Sequence, residues 1–217
     1  MTTSTCEHCG ARFTPPAGVQ ERYPGWQPRL CPDCYRRASG RDPAAARRGG
    51  RRAGRPTEND VTLDEVLATY EAGPDSGVFT DGSANPNPGP GGWGAVYVVE
   101  GEIVDRAYGH EPATTNNRME LTAVIHGCDL VPHGTTATVY TDSRLVHDTI
   151  ANWAAGWERR GWKRTRGEVQ NLELVQAAYR RFTERSELSI AWVPAHAGYR
   201  WNEYADALST AYLRERL

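Results

Sequence analysis

Apolar and polar residues fall into short segments of clear period along this chain, and most of those segments lie after residue 60. Val78-Phe79 is a brief apolar run that ends on Asp81, and a Gly- and Pro-rich stretch from Gly82 to Gly92 follows as a turn. Trp93 to Val99 reads as a second strand, and Glu102 to Gly109 as a third. The link Val99-Glu100-Gly101-Glu102 is short, so the three form an antiparallel meander. Thr114-Thr115 caps a helix from about Asn116 to Leu130, with Glu120 in its opening turns. Thr138 to Asp142 is a buried-type strand that again ends on an acid. A helix with the apolar face Leu145, Val146, Thr149 and Ile150 comes next, then a helix over Val169 to Arg185. Leu188 to Val193 is a fifth strand, and Trp201 to Arg216 a closing helix. Ahead of all this, Leu63, Val66, Leu67 and Tyr70 recur at helical spacing within residues 57–73. Thr62 and Glu65 form a capping box there, and Gly73-Pro74 stops the helix. The order predicts an α/β fold, a mixed five-stranded sheet flanked by helices.

The amino-terminal third has a different character. Four of the five cysteines form two CxxC pairs, Cys6-Glu7-His8-Cys9 and Cys31-Pro32-Asp33-Cys34, with residues 10–30 between them. Four thiolates in two tight knuckles suit one tetrahedral, structural zinc ion. The segment has little core of its own, so metal binding would supply much of its folding free energy. His8 reads as a solvated residue, and Cys128 as a small core residue of a later helix. This predicts a zinc-ribbon-like module over residues 1–36. Tyr23, Trp26, Arg22 and Arg29 are suited either to stacking on bases and holding phosphates or to covering the metal site.

Charge marks the next boundary. The net charge of −2 hides eight arginines between residues 36 and 55 against a single acid, Asp42. Gly, Ala and Arg dominate residues 37–56 without apolar periodicity, which predicts a linker with a salt-sensitive, sequence-independent attraction to phosphate backbones. The module and linker thus offer an extra contact to nucleic acid or to a protein. No run of 18 apolar residues exists, so no membrane contact is expected. The first residues lack a basic start and an apolar stretch, which predicts a cytoplasmic location.

Four acids then stand out. Asp81 and Asp142 lie on or at the ends of strands, Glu120 near the start of a helix, and Asp206 in the last helix, ten residues after His196. If the two strands are neighbours, all four converge at one face of the sheet. Bare carboxylates so close repel one another strongly unless divalent metal neutralises them.

The motifs around these acids carry a family resemblance. They are Phe79-Thr80-Asp81-Gly82-Ser83, Asn87-Pro88-Gly89-Pro90-Gly91-Gly92, Thr115-Asn116-Asn117-Arg118-Met119-Glu120, Tyr140-Thr141-Asp142-Ser143, and Val193-Pro194-Ala195-His196-Ala197-Gly198 with Asn202-Glu203-Tyr204-Ala205-Asp206. In order and spacing, residues 77–217 resemble a type I ribonuclease H domain. The resemblance implies an endoribonuclease that hydrolyses the RNA strand of RNA/DNA hybrids and leaves 5′-phosphate and 3′-hydroxyl ends. It implies two magnesium ions, replaceable by manganese, held by Asp81, Glu120, Asp142 and Asp206. His196 would assist proton movement or product release, and the chain would act as a monomer. Ser83, Asn87, Asn116 and Asn117 would contact the hybrid, whose shape and 2′-hydroxyls are read rather than its base edges. The family often has glutamine where this chain has Arg144, which substitutes a phosphate contact for a minor-groove one. A basic protrusion of the family corresponds to residues 152–166, where Arg159, Arg160 and Lys163 meet phosphates and Trp153 and Trp157 pack a helix. The rival reading is a non-catalytic nucleic-acid-binding protein of the same fold.

Overall fold

The computed structural model describes residues 3–14, 31, 34, 61–165 and 167–214. The chain divides into two compact units, Met1–Arg55 and Pro56–Leu217. In the first, β1 (Ser4–Thr5) pairs antiparallel with β2 (Arg12–Phe13). The turn between them is closed by Gly10 N–H donating to the Cys6 carbonyl and Cys6 N–H to the Ala11 carbonyl, each at 2.9 Å. Phe13 packs on Cys6, Cys31 and Cys34. The predicted linker over 37–56 lies outside the described residues, as do Arg22, Tyr23, Trp26, Arg29 and Arg166.

The second unit opens with α1 (Leu63–Thr69), and the capping box forms as the sequence predicts. Thr62 N–H donates to Glu65 Oε2 at 2.8 Å, and Glu65 N–H donates to Thr62 Oγ1 at 3.4 Å. The helix is shorter than the expected 57–73. Residues 57–60 lie outside the described residues, and at Tyr70 the backbone turns extended so that Ala72 pairs with Tyr199.

β3 (Gly77–Ala84), β4 (Gly89–Val99) and β5 (Glu102–Thr114) form the antiparallel meander. Then follow α2 (Asn116–Leu130), β6 (Ala137–Thr141), α3 (Arg144–Asp148), a π-helical turn (Thr149–Trp153), α4 (Ala154–Arg159), α5 (Leu172–Glu184), β7 (Leu188–Trp192) and α6 (Arg200–Ser209). The sheet order is β5-β4-β3-β6-β7, with β6 parallel to both β3 and β7. Central β3 is buried on both faces, and its side chains alternate between two cores. Val78 joins Tyr97, Leu121, Val124 and Val139 on the α2 side. Phe79 joins Val96, Tyr204 and Leu208 on the α6 side, together with Leu63 and Val66 of α1.

Some boundaries differ from the expected ones. The helix expected over 169–185 starts only at Leu172, because Asn171 takes a left-handed conformation with φ 52°. The closing helix ends at Ser209, and a 3₁₀ turn, Ala211–Leu213, follows. Leu145 is 46% exposed, whereas Val146, Thr149 and Ile150 are buried. Those three fall at i, i+3 and i+4, and Leu145 is rotated about 100° off their face. Cys128 is fully buried in α2, as expected. One further core feature, the buried Arg185, carries no local signal in the sequence. Its guanidinium donates to the carbonyls of Cys128 (2.7 Å) and Pro132 (3.1 Å) and to Glu187 Oε1 (3.0 Å). It thereby caps the carboxyl end of α2, where a cation is favoured.

Candidate active site

Three elements bring the acids together. Thr80 of β3 lies beside Thr141 of β6 in parallel register, so Asp81 and Asp142 emerge at the same level of adjacent strands. Thr80 Oγ1 donates to the Tyr140 carbonyl at 2.9 Å and ties the two strands just below them. The start of α2 rests directly on Gly82, where a Cβ would lie 2.2 Å from the Glu120 nitrogen. Any side chain there would push α2, and Glu120 with it, away from Asp81. One carboxylate oxygen from each of Asp81, Glu120 and Asp142 lies within 4.8 Å of the others. A second group, His196, Glu203 and Asp206, meets the same limit.

Electrostatics join the two groups. Burial holds the Asp81 carboxyl well above its usual range, and the charges of Asp206 and then Asp142 push it the same way. Glu120 is raised by burial first and then by Asp81, Asp142 and Asp206. Burial also raises Asp142, against an opposing hydrogen bond from Asn202. Asp81 Oδ2 and Glu120 Oε2 are buried and have no hydrogen-bond partner. Buried polar atoms ordinarily find one. Oxygens closed off from protein donors and crowded with like charge fit a hard divalent cation.

Asp142 is held from two sides. Asn202 Nδ2 donates to its Oδ2 at 3.2 Å, and Trp192 Nε1 donates to its backbone carbonyl at 2.9 Å. Gly198 N–H donates to Glu203 Oε1 at 3.2 Å, which ties the loop after β7 to the first turn of α6. His196 sits on that loop, exposed, with φ 50°.

The residues predicted to contact a hybrid are spread more widely. Asn116 Oδ1 accepts from Ala84 N–H at 2.6 Å, and Asn87 Oδ1 accepts from Asn116 N–H at 3.2 Å. Both amides therefore also hold the β3–β4 turn against α2. Ser83 Oγ lies 3.3 Å from Ser209 Oγ, next to the acids. The Arg144 guanidinium lies over the Trp192 ring, 3.6 Å from its centre. Asn117 lines a cavity of about 200 Å³ with Leu121, Trp153, Trp157 and Arg164. Trp153 and Trp157 meet at 5.9 Å between ring centres. Arg159, Arg160 and Lys163 are exposed at and after the end of α4. Sequence reasoning missed Asn202 and Glu203 as site residues. Glu203 had a signal in its spacing from Asp206, which puts both on one face of α6, and Asn202 had none.

The other cluster is in the first unit. Single sulfur atoms of Cys6, Cys9, Cys31 and Cys34 all lie within 4.8 Å of one another. Cys9 Sγ and Cys31 Sγ are 3.8 Å apart, and the cysteines are free thiols rather than disulfides. A tetrahedron with arms of about 2.3 Å has edges of about 3.8 Å. The Cys31 backbone, above all, lowers the Cys6 thiol to about 6. The Cys9 side chain, then burial, pushes Cys34 up to about 12. His8 is exposed and is not in the group.

The family model for RNase H matches residues 74–214. A ribonuclease H of Agrobacterium fabrum (strain C58) is 44% identical over 133 residues, which is 61% of this chain and 90% of that protein. A ribonuclease H of Methylorubrum extorquens (strain PA1) is 42% identical over 140 residues, and the match covers 64% of this chain but only 60% of that protein. Among solved structures, LC9-RNase H1, a type 1 RNase H with the type 2 active-site motif, is similar with a TM-score of 0.51 and 35% identity, over 65% of this chain and 74% of that one. The amino-terminal RNase H domain of a Mycobacterium tuberculosis protein gives 0.50 at 27% identity, over 62% and 89%. The matched residues span the whole five-stranded sheet and every acid of the cluster, and the chain belongs to the RNase H family of hydrolases.

Proposed function

We propose that residues 77–217 are a catalytic domain that cuts the RNA strand of RNA/DNA hybrids internally and leaves 5′-phosphate and 3′-hydroxyl ends. Asp81, Glu120, Asp142 and Asp206 hold two magnesium ions, and manganese suits the same ligands. The observation that carries this reading is the pair of buried carboxylate oxygens, Asp81 Oδ2 and Glu120 Oε2, left without any donor. When bound, the ions supply the acidity that makes water a nucleophile at neutral pH and the positive charge that the departing 3′ oxygen needs.

The chain's own residues do the rest. Asp81 has an oxygen within 4.8 Å of those of Glu120 and Asp142 and feels the charge of Asp206, so it would be the central ligand of the set. Asn202 and Trp192 fix the orientation of Asp142 before substrate arrives. His196 is close enough to Asp81 and Asp142 to act on them electrostatically, and it passes a proton or eases product departure. Glu120 also reaches the 2′-hydroxyl beside the cut. Ser83, Asn87, Asn116 and Asn117 follow the sugars, and Arg144, Arg159, Arg160 and Lys163 meet phosphates. Every ligand comes from one chain, so the site works in a monomer. The test is to incubate an RNA/DNA hybrid, an RNA duplex and single-stranded RNA with wild type and with Asp142→Asn. Cleavage of the hybrid alone, by wild type alone, supports the reading. A hybrid that is bound but never cut makes the chain a binding protein of the same fold.

The cysteine group carries a second, independent reading. One structural zinc ion binds Cys6, Cys9, Cys31 and Cys34, and the edge of 3.8 Å supports it. Residues 1–36 are then a zinc-ribbon-like module, which residues 37–56 link to the rest and furnish with arginines for nucleic acid or a partner protein. Deleting residues 1–56 and measuring hybrid affinity against salt separates these targets. Weaker binding with a shallower salt slope means that the deleted residues touch nucleic acid.

A further inference from the structure

Residues 61–73 precede the family-matched stretch 74–214, yet they are built into the same unit. Leu63 and Val66 are 4% and 2% exposed, in a core shared with Trp201, Tyr204 and Leu208 of α6. Beyond α1 the chain runs extended beside the loop that joins β7 to α6, where Ala72 pairs in parallel with Tyr199. Arg200 N–H donates to the Ala72 carbonyl at 2.9 Å, and Arg200 Nε donates to the Tyr70 carbonyl. Gly73, at φ 102°, lies so near Tyr199 that a Cβ on it would stand 2.8 Å from the Tyr199 Cβ. The Tyr70 ring lies against Gly198, 3.7 Å from where a Cβ would be. All these partners, Gly198, Tyr199 and Arg200, follow His196 closely in the chain.

That loop needs outside support. His196 and Gly198 both hold positive φ, 50° and 79°. A non-glycine residue in that region persists only when its surroundings impose it. Glu203 restrains Gly198 from the α6 side. The opposite restraint comes from Tyr70, Ala72 and Gly73.

We propose that Tyr70–Gly73 is a positioning brace for the His196 loop, set in place by α1, and that it sets the turnover of the site rather than its affinity for the hybrid. Tyr70 and Arg200 are positioning residues in this sense, because they act through His196. The proposal rests on the nuclease reading above.

The test uses the full chain and an RNA/DNA hybrid. Tyr70→Ala, Tyr70→Phe and Arg200→Met are made singly and again in a His196→Ala background, with thermal melts to verify folding. Tyr70→Ala and Arg200→Met lower kcat by about threefold to thirtyfold, inside the range of coupling between neighbouring groups, and leave KM unchanged. Tyr70→Phe keeps the ring against Gly198 and retains wild-type kcat. In the His196→Ala background the two losses vanish. Equal losses in both backgrounds, or folded variants with undiminished kcat, overturn the brace. If Tyr70→Ala does not fold, Arg200→Met, which alters only a side chain at the helix start, decides alone. A wild type that cuts no hybrid refutes the nuclease reading instead, which separates the two failures.

Discussion

Asp81→Asn should make this protein more stable and inactive at once. Oxygens of Asp81, Glu120 and Asp142 lie within 4.8 Å of one another. Two unit charges at that distance repel by about 3.5 kcal/mol at an effective dielectric constant near 20. Asp81 takes part in two such pairs and also feels Asp206. The folded protein relieves part of this by retaining protons, since Asp81, Glu120 and Asp142 all hold theirs above the usual range. A net gain of about 2–3 kcal/mol is therefore expected for the amide in the absence of metal, or roughly 4–12 °C in Tm for a unit of this size. The pH dependence has a definite sign. Raised carboxyls mean that the folded state binds more protons than the unfolded one, so metal-free stability falls as pH rises above about 4, where unfolded carboxyls ionise, toward the folded values. Calorimetric melts in a chelator, from mildly acidic to neutral pH, should show wild type losing stability faster than Asp81→Asn. Millimolar magnesium should then raise wild type more than the variant. If Asp81→Asn melts at or below wild type near neutral pH without metal, or if magnesium lifts both equally, the reasoning about crowded carboxylates is wrong.

Three further outcomes are expected. Arg185→Leu, which removes three hydrogen bonds from a buried guanidinium, should cost about 3 kcal/mol and lower Tm by roughly 6–12 °C, with little change in kcat per folded molecule; an unchanged melt contradicts the cap on α2. Replacing Arg159, Arg160 and Lys163 together by Gln should raise KM more than it lowers kcat and flatten the salt dependence of hybrid binding by about one logarithmic slope unit for each phosphate no longer held. Elemental analysis of the purified chain should find one zinc per molecule, absent from Cys31→Ser and after strong chelation, while the melt of the second unit stays in place; no zinc, or zinc that survives Cys31→Ser, removes the cysteine site.

Much of the catalytic unit was legible because its signals are local. Asp81 and Asp142 each end an apolar run, so neighbouring strands were enough to bring them together. Gly82 reads in the sequence as the start of a turn, whereas it lies inside β3, because the backbone of α2 rests on it. The parts that escaped depend on partners distant in sequence. Asn202 matters because the first turn of α6 brings it to Asp142, 60 residues earlier, and no short-range pattern separates it from an ordinary first-turn amide. Arg185 stood in the sequence only as the end of the helix expected over Val169 to Arg185, yet it reaches a carbonyl 57 residues earlier. The helix before the sheet was visible from its capping box, but its docking on α6 and the extended stretch after Tyr70 were not, because Trp201, Tyr204 and Leu208 receive the first and Tyr199 and Arg200 the second.

The most direct measurement is the anomalous scattering of manganese in crystals of Asp142→Asn and of wild type grown with an RNA/DNA hybrid. The account predicts two peaks in wild type, roughly 3.5–4 Å apart, both against Asp81, with at least one missing or weakened in Asp142→Asn. Wild-type crystals with no peak among Asp81, Glu120, Asp142 and Asp206, or with manganese bound elsewhere while the hybrid is cut, would contradict it.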